Sequence, residues 1–238
     1  RRSEEHGLYA RRFDAPAAWK GKRVRIVFEA AMTDATVKIN GVQAGRTHQG
    51  GFYRFSYDIT PLLKLGAENT VEVEVSKASA DRLTDRAERA SDYWVFGGLY
   101  RPVWLEVSPM EAIDHVAIDA AANGAFTADV RIAADREATR LEGQIVTRAG
   151  EPVGKPFSVA IPGGGAGRVQ LATTVANPKL WSAETPNLYE VRLTLYKGEE
   201  AIHQASQRFG FCTFEVREGE GLYLNGQRIL LKGVNRHS

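Results

Sequence analysis

Hydrophobic and polar positions alternate with a period of two along most of the chain, and each such run predicts a half-buried strand. Val24, Ile26 and Phe28 alternate with Arg23, Arg25 and Val27. Val37 and Ile39 lead into Asn40-Gly41, and Val42 and Ala44 follow, the pattern of a hairpin closed by a type I′ turn. Phe55 and Tyr57 mark the next strand. Asp58 to Leu63 reads as a short helical turn, with Thr60 as its cap, Pro61 at its first position and Gly66 beyond its end. Val71, Val73 and Val75 form another half-buried run, and Val103, Leu105 and Val107 the last, with Trp104 on the opposite face. Short strands, frequent turns and few helical segments predict a jelly-roll β-sandwich over residues 1–109.

The alternation resumes over residues 110–208. Its strands are marked by Ile113, Val116 and Ile118, by Phe126, Val130 and Ile132, and by Leu141, Ile145 and Val146. Phe157, Val159 and Ile161 follow, then Val169 and Leu171, then Tyr189 to Leu195, and Ile202 opens the last. About seven strands in roughly 100 residues fit an immunoglobulin-like sandwich. The Cys…Trp…Cys signature of antibody domains is absent. The expected fold class is therefore all-β, a jelly-roll β-sandwich followed by an immunoglobulin-like β-sandwich.

Two stretches depart from this pattern. Lys77 to Ser91 is polar, charged and free of glycine. A stretch of this length is a solvated surface loop, with room for one helical turn, or the rim of a functional site. Residues 209–238 are the other. Asn225-Gly226 signals a second hairpin, and Ile229-Leu230-Leu231 is a continuous apolar run, expected of a strand buried on both faces. Asn235, Arg236 and His237 follow it, and a polar cluster just beyond a buried strand is where open-ended α/β folds keep their chemistry. Alone these residues have no core and must pack on something else.

Composition narrows the class. The 238 residues carry a formal net charge of +2, with 43% hydrophobic and 25% charged residues. The arginine pairs are too short for a nucleic-acid footprint, so no nucleic-acid partner is expected. Cys212 is the single cysteine, which excludes an internal disulfide and any multi-cysteine zinc site. No apolar run approaches the roughly 20 residues of a membrane helix. The expectation is a soluble protein with no membrane span. Its compartment stays open between periplasmic or secreted and cytoplasmic, since the opening residues form no signal peptide.

Five motifs together resemble glycoside hydrolase family 2, the β-galactosidases, β-glucuronidases and β-mannosidases. They are Asn40-Gly41; His48-Gln49-Gly50-Gly51 leading to Asp58-Ile59-Thr60; Asp92-Tyr93-Trp94 leading to Gly98-Leu99-Tyr100-Arg101; Trp181 leading to Pro186-Asn187-Leu188-Tyr189; and Ile229 to His237. They follow the family's order and span nearly the whole chain. The resemblance implies that residues 209–238 hold a linker and the first strand of a catalytic (β/α)8 barrel, truncated there. A retaining glycosidase needs two carboxyl groups ~5–5.5 Å apart. In the family both are glutamates of later barrel strands, the acid/base following an asparagine. This chain has no Asn-Glu dipeptide, so no catalytic residue is expected in it. Gly-x-Ser-x-Gly, His-Glu-x-x-His and phosphate-binding glycine loops are absent too.

The site residues come from the same resemblance. Asp92 matches an aspartate that reaches the barrel mouth and binds the sugar, and in some β-galactosidases helps hold a sodium ion. A carboxylate accepts hydrogen bonds from two hydroxyls at once. Trp94 adjoins it, whereas Trp19, Trp104 and Trp181 read as core or inter-domain residues. His48 stands where some members have a sugar-binding asparagine, and reads either as a sugar contact or as a structural loop histidine. Asn235, Arg236 and His237 are implied to line the sugar pocket. Members often continue with an acidic residue where this chain has Ser238. Cys212 replaces the arginine of the usual Gly-Phe-Arg, and a buried structural thiol is expected. No cofactor is required, with sodium or magnesium expected at most in the complete enzyme. The partner implied is a β-glycoside, with homo-oligomers formed through the full-length enzyme. Three functions remain: the non-catalytic front of a retaining exo-glycosidase, β-galactosidase-like; a free-standing carbohydrate-binding module; and a structural or oligomerisation module.

Overall fold

The computed structural model describes residues 5–90, 96–133, 137–162 and 167–234. The chain divides into two compact units, with the boundary between Ser108 and Pro109.

The first unit contains β1 (His6–Ala15), β2 (Lys22–Phe28), β3 (Asp34–Ile39), β4 (Val42–Gln43), β5 (Phe55–Asp58), β6 (Ala67–Ser76), α1 (Arg82–Arg89) and β7 (Val103–Pro109). Its strands form one sheet of order β1-β6-β3-β4 and another of order β5-β2-β7. Alternation dictates the packing. Val24, Ile26 and Phe28 of β2 point inward and meet Val37 and Ile39 of β3 and Val73 and Val75 of β6. β6 is central, with Val73 opposite both Tyr9 and Val37. Trp19 packs against this core. The β3–β4 turn has Asn40 at φ 52° and Gly41 at φ 81°, the type I′ geometry that the Asn-Gly pair favours.

Three features of this unit differ from the sequence expectation. β1 was not marked by any clean alternation, because it is an edge strand that leaves Leu8, Tyr9, Arg11 and Arg12 exposed. Thr60 is not a helix cap. The short 3-10 turn Thr60–Leu62 has Ile59 before it, and the Thr60 hydroxyl accepts from Val24 N (2.9 Å) and donates to Asp58 Oδ1 (2.6 Å), tying β5 to β2. The polar stretch after β6 holds two helical turns rather than one, capped by Asp81, whose carboxylate accepts from Thr84 N at 2.8 Å.

The second unit contains β8 (Ala112–Ala120), β9 (Ala125–Ala133), β10 (Arg140–Thr147), β11 (Pro152–Ala160), β12 (Arg168–Thr174), β13 (Tyr189–Lys197) and β14 (Glu200–Phe209). They form two antiparallel sheets, of order β11-β10-β13-β14 and β12-β9-β8, an immunoglobulin-like sandwich. The core is aliphatic with an aromatic cluster. Phe126 lies 4.9 Å from Phe209 and 5.8 Å from Phe157 between ring centroids, and Phe211 packs edge-on to Tyr189. Phe209 and Phe211 belong to this core, so the packing runs past the boundary expected after Arg208. Trp181 joins the same edge, its N–H donating to Phe211 O. Cys212 is half-buried rather than buried, held by a bond from its N–H to Ala120 O (2.9 Å).

A meander of β15 (Phe214–Arg217), β16 (Gly221–Leu224) and β17 (Gln227–Ile229) follows. Asn225 (φ 52°) and Gly226 (φ 78°) make its hairpin, and Asn225 also donates to Trp181 O (3.0 Å). The strand expected through Leu231 stops at Ile229. Leu230 and Leu231 are 79% and 69% exposed, because nothing among the described residues covers them. No helix among the described residues is long and apolar enough to cross a membrane.

Candidate functional site

Of the residues implied to touch sugar, His48 is described. Asp92, Trp94, Asn235, Arg236 and His237 lie outside the described residues. The geometry around His48 can therefore be built from its neighbours.

His48 extends the sheet beside β3. Its backbone N–H and C=O both pair with Ala35, at 2.9 Å each. The imidazole stacks on Phe55, ring centroids 3.7 Å apart and planes 11° apart, and meets Tyr53 edge-on at 5.3 Å. Its Nε2 lies 2.9 Å from Gly50 O, a contact that requires Nε2 to carry the proton. Burial against the aromatic rings lowers the His48 pKa from its ordinary value, against the opposing pull of the Gly50 bond and of the Asp34 and Glu88 charges. A stacked and half-buried imidazole with its Nε2 engaged behaves as a loop-fixing residue.

The glycine turn beyond it leaves no room for side chains. Gly50 sits at φ 109°, and a Cβ there would fall 2.1 Å from the Tyr53 hydroxyl, which donates to Gln49 O. Gly51 is buried and gripped from both sides. Its N–H donates to Glu88 Oε1 (2.5 Å), and its C=O accepts from the Tyr100 hydroxyl. The other oxygen of Glu88, Oε2, accepts from Thr33 Oγ1 at 2.6 Å. Beside this pair, Asp34 is 7% exposed. Its Oδ2 accepts from Ala80 N (2.8 Å) and Gln49 Nε2 (3.2 Å), and its buried Oδ1 has no partner among the described residues.

Both chain segments that flank residues 91–95 are anchored to this turn. On the near side, α1 ends with Glu88 under Gly51 and with Arg89 donating to Lys77 O (2.6 Å). On the far side, Gly98 exchanges two backbone bonds with Met32 at 3.0 Å, and Tyr100 reaches Gly51. A Cβ on Gly98 (φ 77°) would sit 2.0 Å from the Tyr9 hydroxyl, which explains the glycine. Phe96 stacks parallel on Tyr100 at 4.8 Å. Tyr53 and Phe96 are 56% and 50% exposed. The result is a rim of flat, partly exposed rings and polar backbone around a rigid glycine turn, an arrangement suited to stacking on and hydrogen bonding a sugar ring.

Sequence reading missed Glu88, Asp34, Tyr53, Phe96 and Tyr100. Tyr53 lies just beyond the His48 to Gly51 motif and Tyr100 lies inside the Gly98 to Arg101 motif; Glu88 gives no local signal, since its partners lie far away in the chain. Trp104 is half-buried and outside the core cluster, and Arg54 lies over its ring at 5.4 Å. Among the described residues no group of three or more His, Cys, Asp or Glu side chains is placed to hold a metal ion.

Comparison with known proteins extends this. Residues 1–109 match the model of the sugar binding domain of glycosyl hydrolases family 2, and residues 112–211 match a second model, of glycosyl hydrolases family 2. The chain belongs to glycosyl hydrolase family 2. A β-galactosidase of Priestia megaterium is 31% identical over 97% of this family 2 chain and 23% of its own length. A β-glucuronidase of Formosa agariphila is 30% identical over 94% of this chain and 25% of its own. Among solved structures, a Bacteroides uniformis β-glucuronidase superposes with a TM-score of 0.81 at 29% identity, over 98% of this chain and 30% of that one. The chain thus spans about a quarter of the length of these curated relatives.

Proposed function

We propose that this chain is the non-catalytic front of a retaining exo-glycosidase that hydrolyses terminal β-glycosides, and that its first unit forms one wall of the sugar pocket. The observation that carries the reading is the convergence on Gly51: the His48 loop and both flanks of the Asp92 segment are fixed to the same glycine turn, with exposed rings beside it. Asp92 supplies a carboxylate for two sugar hydroxyls, with Trp94 two residues further on, and His48 holds the facing loop. Asn235, Arg236 and His237 line the pocket from the far end of the chain. A sodium ion beside Asp92 is part of the proposal, as is sodium or magnesium elsewhere in the complete enzyme. Catalytic carboxylates come from outside these residues, consistent with the missing Asn-Glu dipeptide.

The substrate is a β-galactoside in the first instance. β-Glucuronidases are about as similar as β-galactosidases, so glucuronides are the alternative. A panel of chromogenic glycosides on the full-length protein decides between them, and no turnover of any would reject the enzyme reading. The same assay applied to these 238 residues alone is expected to give no hydrolysis. In the full-length enzyme, Asp92→Asn removes a hydroxyl contact that tightens at the transition state and is expected to cost about 2–4 kcal/mol in kcat/KM with folding intact. Unchanged catalytic efficiency in that variant rejects the role of Asp92.

A further inference from the structure

Helix α1 lacks the feature that normally holds a short helix in place. Helices of this length depend on packing an apolar face. The α1 sequence, Arg82 to Arg89, offers Leu83 and Ala87, and Leu83 is 79% exposed. The one buried residue of the helix is Glu88. Hydrogen bonds attach it: Glu88 to Thr33 and Gly51, Arg89 to Lys77 O, and, just before the helix, Ala80 N to Asp34.

A buried carboxyl group is costly unless its oxygens are engaged. Here each oxygen takes a donor from a different part of the unit. Oε2 takes the hydroxyl of Thr33, just before β3, and Oε1 takes the N–H of the glycine turn. The side chain ties α1, the residue before β3 and the turn together. A Cβ added at Gly51 would lie 3.3 Å from Glu88 Oε2 and 3.0 Å from Met32 Cγ, so Glu88 and Met32 both lie close beneath the turn.

We propose that Glu88 is a positioning residue of the sugar-facing rim: without contacting sugar, it sets the height of the Gly50-Gly51 turn and so the placing of His48, Tyr53 and Tyr100. This rests on the reading of the rim as a sugar-pocket wall. The chemistry separates variants. In Glu88→Gln the amide oxygen still accepts from Gly51 N and the amide nitrogen donates to the Thr33 hydroxyl, which accepts as well as donates. Glu88→Leu leaves both donors unpaired in a buried site. Thr33→Val removes one of the two partners.

The test uses the full-length enzyme, with aryl glycosides and amide exchange at Gly51 as readouts. Expected for Glu88→Leu is a KM raised roughly tenfold with kcat changed by less than about twofold, a displacement of the substrate wall and not of the reacting groups. Exchange at Gly51 becomes faster in the same variant. Glu88→Gln recovers most of both effects, and Thr33→Val falls between. Unchanged KM and Gly51 protection in Glu88→Leu overturn the inference, and so does a Gln variant as impaired as the Leu variant. Should Glu88→Leu fail to fold, Thr33→Val against Glu88→Gln carries the same comparison. Should the wild-type enzyme turn over no glycoside, the pocket reading falls. Gly51 exchange then decides alone whether Glu88 positions the turn: lost protection restored by Gln upholds it, and unaltered protection rejects it.

Discussion

The two sandwiches each pair a four-stranded sheet with a three-stranded one, and they bury different chemistry. The four buried polar side chains among the described residues, Thr33, Asp34, Asn69 and Glu88, all belong to the first unit. The second buries an aliphatic core closed by Phe126, Phe209 and Phe211. Polar burial costs free energy unless every group is satisfied, so it persists where something other than core volume must be held. In the first unit that something is loop geometry. Asn69 accepts from Asn40 Nδ2 and Lys64 N and donates to Lys64 O and Ala67 O, a full set of four bonds that pins the turns at one end of the sandwich. Glu88 and Asp34 do the same for the glycine turn. The second unit is stabilised mainly by this packing.

The largest effect is expected where packing alone operates. Phe126→Ala in the second unit should cost about 3–5 kcal/mol, since its ring is fully buried among Phe157 and Phe209. Denaturant unfolding combined with amide exchange should show the loss in β8–β14. A cost below about 1 kcal/mol would mean the core collapses around the deletion and is not closely packed.

Next comes Asn69→Leu, which keeps the branched shape and removes all four bonds. About 2–4 kcal/mol is expected, most of it from backbone and side-chain groups left unpaired in a buried site. Equilibrium unfolding measures it. A neutral result would erase the contrast between the units, because polar burial in the first would then contribute nothing.

The smallest effect is a pH dependence. The folded state lowers the His48 pKa, so below about pH 6.5 the unfolded chain binds a proton at this site that the folded chain resists. This contribution to stability is present above the unfolded value and is lost as the pH falls through the folded one. His48→Gln should flatten the decline in urea midpoint measured between about pH 7.5 and pH 5. Parallel curves for wild type and variant would show that the imidazole is not desolvated in solution.

Much of the fold was legible because it follows from alternation and turn chemistry. Val24, Ile26 and Phe28 are inward in the sequence pattern and in the core. Asn40-Gly41 and Asn225-Gly226 specify their hairpins through φ > 0, which few other pairs adopt cheaply. The strand from Tyr189 to Leu195 was equally plain, with Tyr189, Val191, Leu193 and Leu195 all buried. β1 and α1 were not legible, and for opposite reasons. β1 is an edge strand with exposed residues on both faces, so no period survives. α1 offers Leu83 and Ala87 as its apolar pair, and both are exposed; its place comes from hydrogen bonds.

The candidate site divides along the same line. Local sequence determined the hairpins, the alternating cores, the two-sandwich order and the presence of a His-Gln-Gly-Gly loop and an Asp-Tyr-Trp segment, because each is written in neighbouring residues. Only the tertiary structure decided that Glu88, 55 residues from Thr33 and 37 from Gly51, lies beneath that loop and joins it to the segment before Asp92. A hydrogen bond across such a separation leaves no periodic trace in the chain. It exists because closing the sandwich removes a carboxyl group from water and presents it with two donors.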